Sequence, residues 1–581
     1  MKTRRTVALM VRELGNEFFD KIVEGVEMAA NEKNFNLLVI VGGVFGGDNR
    51  NNVQYYLAGM ESVDAIICPS GSIFPDDEGY EVCARAAKGK QILLIADKYK
   101  DYTSLCYDNA SGMRDVMDYL IREKECERII MFGGPEHSSD ANERIAEYRR
   151  IMDQHRFKFE DTMLSRGDYT ENCIDKAREL IENNPGAEAI ICGNDRQAEA
   201  VYRILKEKDM EIGKDIYVVG FDDTGNSQYM DPPLASVRAT TMTLGYEAGV
   251  LAGRMGEGEN ASDKVLKCSF IKRESVGFDP YRALMVFEQR RNVTVNTVFD
   301  VPALTRDFVS FIFTGDEINY QSECQKKLLE DFFYRLLNRY LGNVVRRRSF
   351  ENLDYEMSNI FERGGTEYID CRRMFRVLDS IYAVYCSKEI SESSRRELVN
   401  LIARVKRKVV DSLERRSSNM KKVMDSMHWS IVAFSDAILE IPPDSEHKYE
   451  AFMKALPLIG IINASLFEFE KPVLQEGDDF DYPEKLYLKA YRDRRGIYEI
   501  DEAHQLTRSA DIMDYRYMEG GRNHTFFTMG LHYGRYQMGV LLVDIDEEYY
   551  ASYSLINNQI DLALSHFIID PEVLQEGRNN E

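Results

Sequence analysis

Between residues 7 and 222 the chain repeatedly follows a short apolar run with side chains that can grip a hydroxyl group. Glu13 and Asn16 come after VALMV (7–11), Ser70 after AIIC (65–68) and Asp97 after QILLIA (91–96). Arg144 lies beyond RIIMF (128–132), Asn194 and Asp195 follow a second AIIC (189–192), and Asp222 follows IYVVGF (216–221). Carboxylates, amides and a guanidinium offer paired acceptors and donors, which match the adjacent hydroxyls of a polyhydroxylated ligand. Phe18, Phe19 and Tyr169 add flat apolar faces for a sugar or base ring. Plainer roles compete for each. Asp222 can cap the following turn, Asn194 can hold a helix start, Arg144 can pair with a nearby acid, and Phe19 can sit in the core.

The elements that must position these groups alternate as β-α-β-α from Thr6 to about Pro280, with NLLVIV (36–41) completing the apolar runs. Helical-period segments such as 18–31 and 110–123 lie between them, and this alternation predicts a doubly wound parallel sheet. Small ligands bind such sheets beyond the carboxyl ends of the strands, where every polar residue named above falls. From 281 to 440 helices take over, in 324–345, 371–386 and 394–439. Leu398, Ile402, Val405 and Val409 recur at four-three-four spacing, a coiled-coil seam of about two heptads from which Leu413 drifts by one residue. The basic run RVKRKVV (404–410) reads as a solvated helix flank beside Glu397, Asp411 and Glu414. From 441 to 570 strand-like alternation returns in IINASLFEFEK, EKLYLKAYR, NHTFFTMGLHY and YQMGVLLVDID, followed by an amphipathic helix over 549–567. That order predicts an α+β domain, and residues 571–581 form a polar tail.

Six blocks carry a family resemblance: NEFF (16–19), YDNASG (107–112), GPEHSSDANERIAEYRRIM (134–152), RGDYTEN (166–172), ICGNDRQAEAVYRIL (191–205) and VVGFDDTGNSQYMDPPLASVRATTMTLGYEAG (218–249). In this order they resemble the effector-binding core of the LacI/GalR family, a two-lobed type I periplasmic-binding-protein fold. The resemblance implies ligand contacts from Arg144, Asn194 and Asp222, with Phe18 and Tyr169 as aromatic walls. Repressors of that family carry an N-terminal helix-turn-helix and hinge; here five residues precede the first strand, so DNA binding by this chain alone is not expected. Residues 441–570 are similar, by element order only, to a GAF-type module. The expected organisation is therefore a sensor domain (1–280), a helical connector (281–440) and a GAF-like domain (441–570).

Composition narrows the function. The chain has 581 residues and a net charge of −24, a field that repels a phosphate backbone. With 44% hydrophobic and 30% charged residues it is ordinary for a soluble globular protein. No apolar run approaches the ~20 residues that cross a bilayer, and the N-terminal run is too short for a signal peptide, so a cytoplasmic protein is expected. Ten scattered cysteines without a CxxC pair predict reduced buried thiols, with neither disulfides nor a zinc site. The eight histidines show no metal spacing, and no GxSxG, P-loop or GGDEF string is present. No cofactor, no metal and no catalysis are expected. The expected partners are a small polar ligand and a second copy joined through the helical seam. Two other readings stay open: a LacI-type transcriptional regulator acting through a separate or cryptic DNA-binding element, and the sensory part of a diguanylate cyclase or kinase whose catalytic domain lies elsewhere.

Overall fold

The computed structural model describes residues 4–46, 49–74, 77–278, 299–314, 320–341, 360–361, 368–386, 391–442, 444–475, 480, 482–508, 512–513 and 523–568. The expected boundary at 280/281 and the tail 571–581 lie outside the described residues. The chain divides into two units, one of Met1–Gly277 with Met427–Glu581 and one of Phe278–Ser426.

The first unit begins with β1 (Thr6–Val11), β2 (Asn36–Val41), β3 (Ala65–Cys68), β4 (Gln91–Ile95) and β5 (Thr103–Tyr107). Next come β6 (Ile129–Gly133), β7 (Leu164–Arg166), β8 (Ala189–Cys192), β9 (Tyr217–Asp222), β10 (Ala235–Arg238), β11 (Lys264–Leu266) and β12 (Ser269–Ile271). All of β1, β3 and β8 is buried, as the unbroken apolar runs of a sheet covered on both faces require. Strands β11, β5, β4, β3, β1 and β2 lie side by side and parallel in one sheet; β12, β10, β9, β8, β6 and β7 form another. These are the two lobes of the expected type I periplasmic-binding-protein fold. The chain passes between them after β5, after β10 and between β11 and β12, and Asp108 N donates to Leu266 O at 2.8 Å, tying two of the crossings together. On the first lobe the helices Glu17–Lys33 and Thr241–Met255 meet at glycines. A Cβ at Gly25 would lie 2.2 Å from Met242 O, and one at Gly245 2.3 Å from Ile22 O, so no larger residue fits this crossing.

The C-terminal strands are β13 (Ala464–Leu474), β14 (Lys485–Asp493), β15 (Gly496–Glu499), β16 (Leu506–Arg508), β17 (Thr525–Tyr533) and β18 (Tyr536–Val543). Each of the four strand-like runs forms a strand, but together they do not close a separate sheet. β17 runs parallel to β2, from Thr525↔Leu37 to Thr528↔Ile40, and β18, β13 and β14 continue antiparallel from it. The result is one 12-stranded sheet spanning the first lobe and the appended strands. Without β17, β2 would be an edge with an unpaired row of N–H and C=O groups. One apolar face is shared across the join, where Leu38 and Ile40 belong to the same buried cluster as Phe526, Leu542 and Phe467. The expected division at 440/441 thus falls within the first unit, which resumes at Met427 on the helix Glu392–Leu439.

The second unit is helical, built from Val301–Ile312, Tyr320–Tyr340, Cys371–Cys386 and the first part of Glu392–Leu439. Here the structure corrects the coiled-coil reading. Leu398, Ile402, Val405 and Val409 are all buried, in one cluster with Phe332, Leu336 and Leu378 of the same chain. Four-three-four spacing specifies an apolar stripe but not what covers it, and here the chain covers its own. All ten cysteines are free and seven are buried. Among the described residues no helix is long and apolar enough to cross a membrane.

Candidate functional site

The strand β9 ends on two residues whose backbones lie in the left-handed region, Asp222 at φ 96° and Asp223 at φ 53°. For residues other than glycine this costs roughly 1–3 kcal/mol each, and such strain persists only where surrounding contacts impose it. Asp223 supplies those contacts. Its carboxylate accepts Arg238 Nε at 2.7 Å and pairs with Arg273 Nη2 at 2.5 Å, and its N–H donates to Ser236 Oγ at 3.0 Å. The Asp222 carboxylate, by contrast, meets no hydrogen-bond donor among the described residues. Burial pushes its pKa up; the Arg144 guanidinium pulls it back and Glu17 adds to the push.

Arg144 projects from the helix Ser139–Gln154, whose start is capped by Ser138 accepting Ala141 N at 3.2 Å. Only 4% exposed, it donates through Nε to Asn109 Oδ1 at 2.8 Å and through Nη1 to Gly193 O at 2.6 Å. Its guanidinium carbon stands 3.5 Å from the centre of the Phe221 ring, a cation–π stack, and Nη2 lies 3.7 Å from Asp140 Oδ2. Burial opposes the charge on Arg144, but Tyr169, Asp140 and Asp222 outweigh it and hold its pKa above the usual value. Asp140 also accepts Asn109 Nδ2 at 2.8 Å; burial lifts its pKa to about 6 against the pull of Arg144 and Asn109. Tyr169, at φ 66°, sets its hydroxyl 3.3 Å from Ser138 Oγ, and its ring lies against Gly134, where a Cβ would come within 2.3 Å. Arg144, Tyr169 and Asp222 therefore form one electrostatic cluster on the second lobe, near its junction with the first.

Four of the remaining expected residues, Asn194, Asp195, Asp97 and Ser70, are committed to protein contacts. Asn194 caps the helix Asp195–Glu207 by accepting Gln197 N at 2.9 Å and donates to Tyr169 O at 3.1 Å, which holds the Tyr169 loop. Asp195, 2% exposed, accepts Ser236 Oγ at 2.6 Å, Thr224 N at 2.7 Å and Thr224 Oγ1 at 3.2 Å. Both fix the loops that carry Tyr169 and Asp222. Asp97, also 2% exposed, accepts Ser70 Oγ at 3.0 Å, Lys98 N at 2.9 Å, Ser139 Oγ at 2.5 Å and the Tyr80 hydroxyl. Ser139 belongs to the second lobe, so the Ser70–Asp97 pair fastens one lobe to the other. Lys98 with Glu143 at 3.4 Å and Gly225 N donating to Glu17 Oε1 at 3.1 Å make two further links. On the rim, Asn16 caps the helix Glu17–Lys33 through Phe18 N at 3.1 Å and donates to Glu13 Oε1 at 3.1 Å. Phe18 is half-buried, edge-on to the buried Phe19 at 5.2 Å.

Asn109, Asp140, Ser139 and Phe221 escaped the sequence reading. Two signals for them were present: Asp140 stands four residues before Arg144 on one helix face, and Phe221 directly precedes Asp222. Among the described residues one group could offer a metal three ligands, His447, Glu450 and Glu499, all exposed. Glu499 Oε1 accepts Glu450 N at 3.3 Å, so its geometry serves a helix end.

Residues 117–276 match the periplasmic binding protein-like domain, a span holding Arg144, Tyr169 and Asp222. The core is LacI-like. This LacI-like core is similar to the HTH-type transcriptional regulator CelR of Thermobifida fusca, 29% identical over 287 residues, covering 47% of this chain and 82% of the relative. The HTH-type transcriptional repressor CytR of Escherichia coli (strain K12) is 23% identical over 277 residues, covering 47% of this chain and 79% of the repressor. A solved structure, the transcriptional regulator CelR–cellobiose complex, aligns with a TM-score of 0.42 at 27% identity, over 47% of this chain and 86% of that one.

Proposed function

We propose that the LacI-like core binds a small hydroxyl-rich molecule, a sugar or related metabolite, between its lobes, and that the chain acts in the cytoplasm as a sensor without catalysis of its own. The observation that carries this reading is Asp222, a strained, half-buried carboxylate that meets no donor among the described residues, beside an Arg144 held rigidly by Asn109, Gly193 and Phe221. A pre-set acceptor next to a pre-set cation suits a pair of vicinal hydroxyls. A ligand that also reaches Glu13, Asn16 or Phe18 gains contacts only when the lobes are together. That differential is the free energy for closure, typically ~1–3 kcal/mol.

Closure reaches the appended strands through the rim loop. Gly15, at φ 82°, approaches Ala551 so closely that a Cβ would stand 2.7 Å from its Cα, just ahead of the helix Tyr553–Ile568. Like charge opposes this contact. Burial, with Glu547 opposite and Glu13 nearby, pushes Asp20 up to about 6 against the pull of Gly15 N–H and Lys21. An acid raised in the folded state contributes stability that is full below its unfolded pKa and is lost as pH rises through about 6. Thermal melts are therefore expected to show Asp20→Asn more stable than wild type at pH 7.5, with the gap closing at pH 5.

A thermal-shift panel of neutral mono- and disaccharides with cellobiose included, confirmed by calorimetry, tests the main reading. At least one member is expected to stabilise the protein, by ~2.7 kcal/mol at a hundred times its Kd. A panel without any binder rejects a sugar ligand. The second reading, transcriptional regulation through a separate DNA-binding partner or the basic face of 393–422, is favoured by the names of the relatives. A gel shift with genomic fragments at ~150 mM salt, where nonspecific electrostatic binding is weak, distinguishes the two.

A further inference from the structure

The outward face of the C-terminal helices differs from the rest of this acidic chain. Between Met427 and Glu440 the charged residues are Asp436 and Glu440 alone, and between Tyr553 and Leu564 Asp561 alone, in a chain with 30% charged residues. Asp561 is engaged inward, accepting His532 N at 2.6 Å. The helices Glu392–Leu439 and Tyr553–Ile568 meet where Ser435 Oγ donates to Gln559 Oε1 at 2.8 Å. Val432 and Leu439 stand three residues before and four after Ser435; Leu555 and Leu562 stand four before and three after Gln559. That spacing puts all four on the flanks around the bridge. They are exposed nonetheless, Leu439 at 75% and Leu562 at 67%, and Trp429, one turn before Val432, is 73% exposed. Ile431, Phe434 and Ile438 on one helix, with Ile556, Ile560 and Leu564 on the other, already fill the sheet-facing side. The outer apolar stripe is surplus to the fold.

We propose that this two-helix face is where a second copy of the chain docks, about a two-fold axis, to make a four-helix layer. An isologous contact needs a patch complementary to itself, and two layers of helices pack ridge into groove to give one. Charge selects the occupant. Two copies at −24 each repel over most of their surfaces, and a face almost free of carboxylates is where they can meet without opposing like charges. A basic partner drawn by the acidity of the chain finds little to pair with here. The contact is also distinct from the 398–409 seam, which the chain itself buries. It does not depend on the sugar reading.

Trp429 is the single tryptophan of the chain, so its emission reports on this face. Sedimentation of the full chain over ~0.1–50 µM should show a dimer whose blue-shifted emission moves red on dilution. Leu439→Glu and Leu562→Glu, at positions exposed in the protomer, should each weaken the dimer at least tenfold with unchanged circular dichroism. Val265→Glu, at a position 54% exposed on β11, should stay dimeric. A monomer at ~50 µM, a dimer with solvent-like Trp429 emission, a dimer surviving both glutamate variants, or equal dissociation by Val265→Glu would each overturn the proposal.

Discussion

Asp222→Asn is expected to weaken binding of whichever panel sugar the wild type holds by roughly a hundredfold, measured by calorimetry, while the melting temperature stays within a few degrees. Hydrogen bonds to a charged acceptor contribute ~1.5–3 kcal/mol each, and a carboxylate accepting from two hydroxyls loses about that much when neutralised. Stability should hardly suffer, because the carboxylate has no donor to lose among the described residues and desolvation already disfavours the charged form. Asp223→Asn provides the contrast. That carboxylate pairs with Arg238 and Arg273, so its loss should lower stability as well as binding.

Arg144→Ala should be costly in both respects. Removing the guanidinium strands Gly193 O and Asn109 Oδ1 and leaves the buried Asp140 and the half-buried Asp222 without their cation. Breaking a buried charge pair from one side costs ~3–5 kcal/mol, which for a domain of this size is a drop of order 10 °C in Tm. The pH dependence separates this from simple loss of packing. Asp140 titrates at about 6, and once the cation is gone protonation relieves it, so the deficit of Arg144→Ala should shrink between pH 7.5 and pH 5. Adding Asp140→Asn should restore part of the loss, a non-additivity expected only of groups in direct interaction. Arg144→Lys keeps the charge but not the fork that joins Asn109 to Gly193, and should fall between wild type and alanine.

The lobes were legible because their information is local. Runs such as AIIC and NLLVIV are continuous because both faces of the sheet are covered, and polar residues at their ends mark the rim. Residue type did not reveal commitment. Asp195 carries the same carboxylate as Asp222, and the Asn194 amide can also bind a hydroxyl, but the sequence does not show that Ser236, Thr224 and Gln197 already occupy them. Position at the strand ends suggests a ligand role for Ser70 and Asp97, whereas Asp97 joins Ser70 to Ser139 across the lobes. Long-range pairing was harder still. Nothing near Leu37 announces that its strand will be completed from Thr525, because that partnership is set by tertiary burial and not by local propensity. The helical seam failed for a related reason, since an apolar stripe is satisfied equally by a second copy or by the chain's own helices.

Crystals grown with the strongest binder of the sugar panel provide the most direct measurement. The sugar is expected between the lobes, with hydroxyls within hydrogen-bonding distance of the Asp222 carboxylate and the Arg144 guanidinium and a ring face against Phe18 or Tyr169. A sugar bound elsewhere on the chain, with Asp222 and Arg144 touching only protein, would contradict the account.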